Sequence, residues 1–592
     1  MPLADPMLQL DALLRRAIVA ALGAEESQSD PLLKPSANPQ HGDVQANGVL
    51  PLAKRLGRPP HPAAAAVLAS AQADPAFGTL VESAEVAGPG FINLRLAPAA
   101  LAAMVEAFDG PDLGIRRLHS DDSVVIDLCG VNVAKQMHVG HLRATIIGDT
   151  LARVHERLGL RVWRENHLGD WGLPIAMTLS MLRRNGADLD ALSLSDLDAA
   201  YKAAQKEAED PAAAAAHDDA RTTLVRLQAG DPELVRSWEK IIDVTMREVF
   251  TVAGMLGVTL GPEHSRGESF FRERLGPVVE SFQSRGLAAE DQGAVVVRFQ
   301  DRERPLLIRK KDGGFLYATT DLAAVRFRVQ ELRGAKVVYV VDARQRDHFK
   351  DVFDAVRMIG WDVLPDGTHA RLIHVGFGTV LGKDKRPLKT RSGEHFTLKA
   401  LLEEAIERGV AEVTARAAAP EAPTHGMAPA QLAAIGAAVG IAAVKYADLG
   451  SDVARDYVFD LDRMVSFDGD TGPYIQYAHA RIAGILAKAG ADAAAAATAA
   501  PVILEPAERR LVLHLLQYPR VVAQVADSLE PNRLCNWLHS LAEDFNGFYQ
   551  ACPVLKCPDD SVRRSRLRLC GVVKRALADG LSLLGISAPD RM

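Results

Sequence analysis

The sequence predicts an α/β fold: a parallel-sheet centre, an α/β unit before it and an all-helical bundle after it. Three observations carry this. Val124 to Leu128 is a β-branched apolar run that reads as a buried strand. A loop, Cys129 to Gln136, follows, and then a helix whose apolar positions Leu142, Ile146, Ile147, Leu151, Val154 and Leu158 recur at helical spacing. Val162-Trp163 begins a second strand, which makes a βαβ unit whose strand-to-loop crossings are where such sheets bind ligands. From residue 474 the pattern is helical, over 474–489, 506–528, 531–550 and 562–585, with an Ala-rich linker at 491–501.

Residues 1–115 read as a separate α/β domain. Met7 to Leu22 is an amphipathic helix, Pro59 to Ser70 an Ala-rich one, and 81–97 a strand, turn and strand around Gly88-Pro89-Gly90. The segment 173–300 is mainly amphipathic helix, with a charged, Ala-rich section at 198–225 to which no chemistry is assigned. Leu306 to Arg309 returns the chain to the sheet, Asp312-Gly313-Gly314 is a turn, and a helix starts near Thr320. The strand inside 336–349 presents Asp342, Gln345 and His348 at its carboxyl end. Ala415 to Gln431 is a low-complexity loop or insertion.

At 592 residues the chain holds several domains and buries a large core. A net charge of −7 argues against a non-specific polyanion binder but leaves room for a local basic face, expected at 551–592, where eight Lys/Arg meet four Asp/Glu. Five cysteines, none in CxxC spacing, suggest reduced thiols and no zinc ribbon. No signal peptide is read at the N-terminus and no run of about 18 apolar residues reads as a membrane span, so a cytoplasmic protein is expected.

His138-Val139-Gly140-His141 opens the central helix. A helix N-terminus favours phosphate, two imidazoles at i, i+3 share a face and can donate to phosphate oxygens, and Gly140 lets a flat base or ribose approach the backbone. Taken alone the pattern is equally a helix that starts with two histidines. A metal site would need further ligands, and no Cys pair or third spaced His accompanies them.

The frame around the histidines, NVAKQMHVGHLRATIIGD, resembles the first signature of class I aminoacyl-tRNA synthetases in the arginine-specific form. NHLGDWG (166–172), the Tyr317/Asp321 pair, Gln345, the stretch 441–482 and the terminal LGISAPDRM resemble further family motifs, in family order. The resemblance implies a Rossmann-like parallel-sheet catalytic domain at 116–400 with a helical insertion at 173–300. It implies an N-terminal α/β tRNA-elbow-binding domain at 1–115, a connecting stem-contact region at 401–473, and an all-α anticodon-binding bundle at 474–592. The implied activity is ATP-dependent attachment of L-arginine to its tRNA through an arginyl-adenylate. ATP with Mg²⁺ is the implied cofactor set, with no structural metal, no membrane partner and a monomeric state. The family usually needs bound tRNA even for the first step.

The resemblance also assigns residues. Lys135, His138, Gly140, His141 and Lys389 would meet ATP phosphates, Lys135 supplying the positive charge that a degenerate second-signature loop, Leu388 to Ser392, lacks. Asp127, Asn132, Tyr317, Asp321 and Gln345 would bind arginine, whose guanidinium favours planar carboxylate partners and an aromatic ring. Gln45, Asn47, Phe91 and Asn93 from the HGDVQAN and GPGFINLRL stretches, with Asn546 and Tyr549, would touch tRNA. Asp456, Tyr457, Asp468 and Tyr474 are better read as structural braces. Two stretches depart from the family text, Cys129-Gly130-Val131 before Asn132 and Leu173-Pro174-Ile175-Ala176 after GDWG, which leaves analogue discrimination open. An RNA-binding paralogue without activity and a small-molecule nucleotidyltransferase remain alternatives.

Overall fold

A computed structural model describes residues 4–23, 25, 29–36, 38–210, 214–386, 388 and 396–592. At its centre four strands run parallel in the order Arg371–Phe377, Gly334–Asp342, Ser123–Asp127 and Arg161–Glu165. The alternation of the strand sets both faces. Val124, Ile126 and Leu128 pack with Leu142 and Ile146 of the Val139–Arg157 helix, while Val125, Val337 and Tyr339 pack with the helices Glu268–Ser284, Tyr317–Gln330 and Arg346–Ile359. Gly148 sets the first contact, since a Cβ there would sit 2.3 Å from the Leu128 Cβ. Asp127, Glu165 and Asp342 therefore end their strands on one edge.

The N-terminal sheet is antiparallel, in the order Leu33–Pro35, Val44–Ala46, Phe91–Leu96 and Val81–Ala87, and packs on the helices Pro6–Leu22 and Pro60–Gln72. The C-terminal region is helical from Gly472 to Leu583.

Four expectations need correction. Leu306–Arg309 is a strand, but of a separate three-stranded antiparallel sheet with Ala288–Asp291 and Ala294–Val297, joined by a Gln292-Gly293 turn with both residues at positive φ. So 173–300 is not all helix. The helix expected over 506–528 is two, Pro506–Leu515 and Tyr518–Ser528, because Pro519 opens the second. The linker at 491–501 begins as a short helix, Ala491–Ala496. Finally, Pro429–Leu449 is long and apolar enough to cross a membrane by composition. It is instead one arm of a helical hairpin with Leu398–Ala417 and buries Val439, Ala442, Ala443 and Val444. The arms touch through glycine: a Cβ on Gly409 would lie 2.2 Å from the Gly436 carbonyl oxygen.

The expected basic face at the C-terminus is largely spent inside the molecule. Arg566 binds Glu508 at 2.6 Å and Lys574 binds Asp590 at 2.7 Å, while Arg563 and Arg564 pair with Asp560. Arg568 (2.8 Å) and Arg575 reach across to Asp109 of the N-terminal region. Asp43, of the HGDVQAN stretch, makes the matching tie. Its carboxylate takes the Arg509 Nε at 2.8 Å and the Leu96 backbone N–H at 2.7 Å, with its side chain only 6% exposed. Arg509→Ala would leave that carboxylate buried without its cation. The expected loss is about 3 kcal/mol, read as a fall in the first urea midpoint, and Asp43→Asn in the same background should recover part of it.

Candidate active site

The loop between the first central strand and its helix is held from several sides. Cys129 and Ala134 have positive φ, a cost that only surrounding bonds sustain, while Gly130 takes its positive φ freely. Gly130 N–H donates to the Asn166 Oδ1 at 3.1 Å, and Val131 and Val133 exchange backbone bonds with Gly169. Ala134 N–H donates to Thr245 Oγ1 at 3.1 Å, from the Pro232–Met255 helix. Further on, Met137 and Val139 bond Leu398 and Phe396, which follow the second-signature loop. Both signatures are thus joined by a short stretch of backbone pairing.

His138 caps the helix. Its Nδ1 accepts the Gly140 N–H at 3.0 Å, and its own backbone N–H donates to the His141 Nδ1 at 3.1 Å. An imidazole nitrogen that accepts a hydrogen bond carries no proton, so each neutral ring bears its proton on Nε2. The two rings lie 4.0 Å apart. Burial, with help from His138 and Lys135, pushes the His141 pKa down to about 3. Gly140 is needed for the cap itself, because a Cβ there would meet the His138 ring at 2.7 Å. Lys135, half-buried, places its Nζ 4.1 Å from the centre of the Tyr201 ring.

The second part of the site gathers at the sheet edge. The Asp321 carboxylate is 2.6 Å from the His348 Nε2, and the His348 ring lies 4.8 Å from that of Tyr317, which is 64% exposed. Glu268 opens the Glu268–Ser284 helix nearby. Burial, then the charges of Asp170 and Asp321, raises its pKa to about 7. Asp127 is already paired: the wholly buried Arg328 guanidinium stands 2.7 Å from its carboxylate, between Glu165 and Tyr339. The two imidazoles can donate to polyphosphate, and the acidic, aromatic group of Tyr317, Asp321 and Glu268 can hold a cation.

Known proteins match along the whole chain. The family model for class I tRNA synthetase (R) catalytic domains covers 111–461, the DALR anticodon-binding domain 475–592, and the arginyl-tRNA synthetase N-terminal domain 8–96. An arginine–tRNA ligase of Frankia casuarinae is 45% identical over 99% of this chain and 98% of its own. One of Thermobifida fusca is 42% identical, covering 100% of both chains. The chain belongs to the arginyl-tRNA synthetase family. Among solved structures, the arginyl-tRNA synthetase of Thermus thermophilus superposes with a TM-score of 0.80 at 25% identity, covering 98% of this chain and 100% of that one. The fold is accordingly the α/β, Rossmann-like one expected, and the synthetase is an arginine–tRNA ligase that uses ATP.

The structure brings some of the expected residues of this synthetase together and separates others. His138, Gly140, His141 and Lys135 are adjacent, and Tyr317 and Asp321 share one face of their helix. Gln345 is exposed at the N-terminus of the Arg346–Ile359 helix, one turn before His348. Asn132 lies over Gly169, where a Cβ would be 2.1 Å from its Oδ1. Lys389 lies outside the described residues. Asn93 is a correction. It is buried, accepts from the Gln45 amide at 2.9 Å and donates to Glu85 at 3.4 Å, so it braces Gln45 rather than offering its amide to RNA. Asn47 is half-buried and Phe91 partly exposed. Asn546 is held by Tyr474 (2.9 Å) and Arg481 (3.1 Å), and Arg481 also covers the Tyr549 ring. Phe545 and Phe548 are core. Asp456 accepts the Thr379 N–H at 2.6 Å and Tyr457 pairs beside Val380, as braces.

Glu268, Tyr201, Thr245 and Arg328 were missed. The first three fall in the helical segment 173–300, only Tyr201 of them in the 198–225 section, and no spacing rule marks them. The tautomers carry a direct test. In the free enzyme His141 should stay neutral down to about pH 4, with its proton on Nε2. Nitrogen-15 imidazole spectra check this: a His141 titration near 6.5 would contradict the cap.

Proposed function

We propose that the division of labour in this synthetase follows the two halves of the site. The His138 and His141 Nε2–H groups, Lys135 and Lys389 meet the phosphates of ATP, which enters as its magnesium complex. The ion's ligands are then chiefly phosphate oxygens and water. The observation that carries this reading is the cap, which presets both imidazoles as neutral donors at a helix N-terminus. The arginine carboxylate attacks the α-phosphorus, the bond to the β-phosphate bridge breaks, and pyrophosphate leaves against those donors. The 2′-hydroxyl of the terminal adenosine of tRNA then attacks the activated carbonyl and AMP departs. No protein nucleophile takes part. Catalysis is positioning and charge stabilisation.

For arginine, Tyr317, Asp321 and Glu268 form the cation pocket, while Asn132, Gln345 and the Arg328-paired Asp127 meet the amino-acid end. A neutral analogue would leave those carboxylates unpaired, the source of a large penalty. Gln45, Asn47 and Phe91, with Asn93 behind them, face the tRNA elbow, and Asn546 with Tyr549 the anticodon side. The working form is a cytoplasmic monomer divided at 1–115, 116–400, 401–473 and 474–592.

ATP–pyrophosphate exchange over a panel of amino acids, with and without arginine tRNA, tests the whole. Exchange with arginine alone, and only with tRNA present, is expected. Exchange with no amino acid despite tRNA binding would overturn the catalytic reading. Glu268 adds a pH dependence. Its carboxyl is protonated below about 7 and ionised above, and only the anion attracts a guanidinium. KM for arginine should fall about tenfold between pH 6 and 8, following the ionised fraction. Glu268→Gln should abolish that slope. Because the folded pKa is raised above the ordinary glutamate value, the arginine-free protein loses stability as pH climbs through 4.5 towards 7.

A further inference from the structure

The helical insertion grips the lysine-bearing loop at two points. Thr245 fixes the backbone at Ala134, whose positive φ turns the next side chain out of the loop's run. Tyr201 then receives that side chain, with the Lys135 Nζ 4.1 Å from its ring centre. Tyr201 stands on the Leu194–Ala208 helix, one turn from the buried Leu197 and Ala204. Those neighbours account for the ring's edge in the core. They do not account for an ammonium over its face. A lysine stem is flexible and free to sample many rotamers, and an aromatic face within about 6 Å attracts the cation enough to narrow them.

We propose that Tyr201 is a positioning residue, which holds the Lys135 ammonium beside the signature histidines by a cation–π contact and so sets the charge that the nucleotide phosphates meet. This deepens the assignment of Lys135 to the phosphates and rests on it. The insertion, which carries no group of its own for the nucleotide, thereby contributes to adenylate formation through one ring.

The test is ATP–pyrophosphate exchange by the full-length enzyme with arginine and arginine tRNA present. Tyr201→Phe keeps the aromatic face and should retain the rate within about twofold. Tyr201→Leu should lose about three- to tenfold, with KM for arginine unchanged. In a Lys135→Ala background Tyr201→Leu should cost nothing further, because a residue that acts through another has no effect once the other is gone. Additive losses, or a raised arginine KM, would overturn the proposal in favour of plain packing. Phenylalanines carrying one to four ring fluorines at position 201 keep the shape while draining the negative face of the ring. The rate should step down with each fluorine, and a flat series would overturn the proposal even if the leucine variant fails to fold. A Lys135→Ala enzyme that exchanges at the normal rate would overturn the phosphate role of Lys135 itself, whereas a crippled Lys135→Ala with a flat fluorine series would spare that role and sink Tyr201 alone.

Discussion

The loop from Cys129 to His138 is the constraint on which the site depends. Cys129 and Ala134 both take positive φ within it, and a free peptide would not hold them. The bonds to Asn166, Gly169, Thr245 and the Phe396–Leu398 stretch do. They come from three separate parts of the chain, the 166–169 loop, the Pro232–Met255 helix and the 396–398 stretch. His138 and His141 both commit their Nδ1 atoms to backbone N–H groups. The donor geometry is set by folding and not by the substrate.

Much of the positive charge near the C-terminus is neutralised by ion pairs within the molecule. Counting lysines and arginines along 551–592 suggests an open basic face, yet Arg566, Arg568 and Arg575 are tied to Glu508 and Asp109. The same holds at the centre, where Arg328 sits wholly buried against Asp127. A buried guanidinium there is costly to desolvate, but it removes the repulsion that Asp127 and Glu165 would otherwise exert on each other at neighbouring strand ends. It also means that Asp127 presents a carboxylate already half satisfied, a weaker lure for a second cation than the Asp321 and Glu268 pair.

Periodicity made the central strand, its helix and the C-terminal bundle legible, because each repeats an apolar position over several turns or alternates across a sheet. The His138 and His141 pair was legible for a different reason: alone it reads equally as a plain helix start, and the surrounding NVAKQMHVGHLRATIIGD frame decides it. What stayed hidden has a common cause. Glu268 becomes a site residue only because a helix starting some 130 residues after His138 swings its first turn beside Asp170 and Asp321. Tyr201 looks like any aromatic on an apolar stripe until Lys135 is placed over it. Asn93 failed in the opposite sense: it does lie on the sheet face opposite Ile92 and Leu94, as an amide on a strand should, but its cross-strand neighbours Gln45 and Glu85 cover it. Long-range contacts of single side chains leave no pattern in the chain.

One such contact bears on how a large nucleic acid is met. The N-terminal sheet and the C-terminal bundle lie more than 400 residues apart in sequence, yet Asp43 takes Arg509, and Asp109 takes Arg568 and Arg575, through largely buried carboxylates. Apolar contacts run without a break from the Pro6–Leu22 helix through the bundle to Ile586. Two parts joined by a hinge would pay orientational freedom each time a ligand spanned both. Parts joined by a continuous core and buried ion pairs have lost that freedom at folding. An RNA long enough to reach from the elbow-side sheet to the anticodon bundle therefore meets a spacing already set.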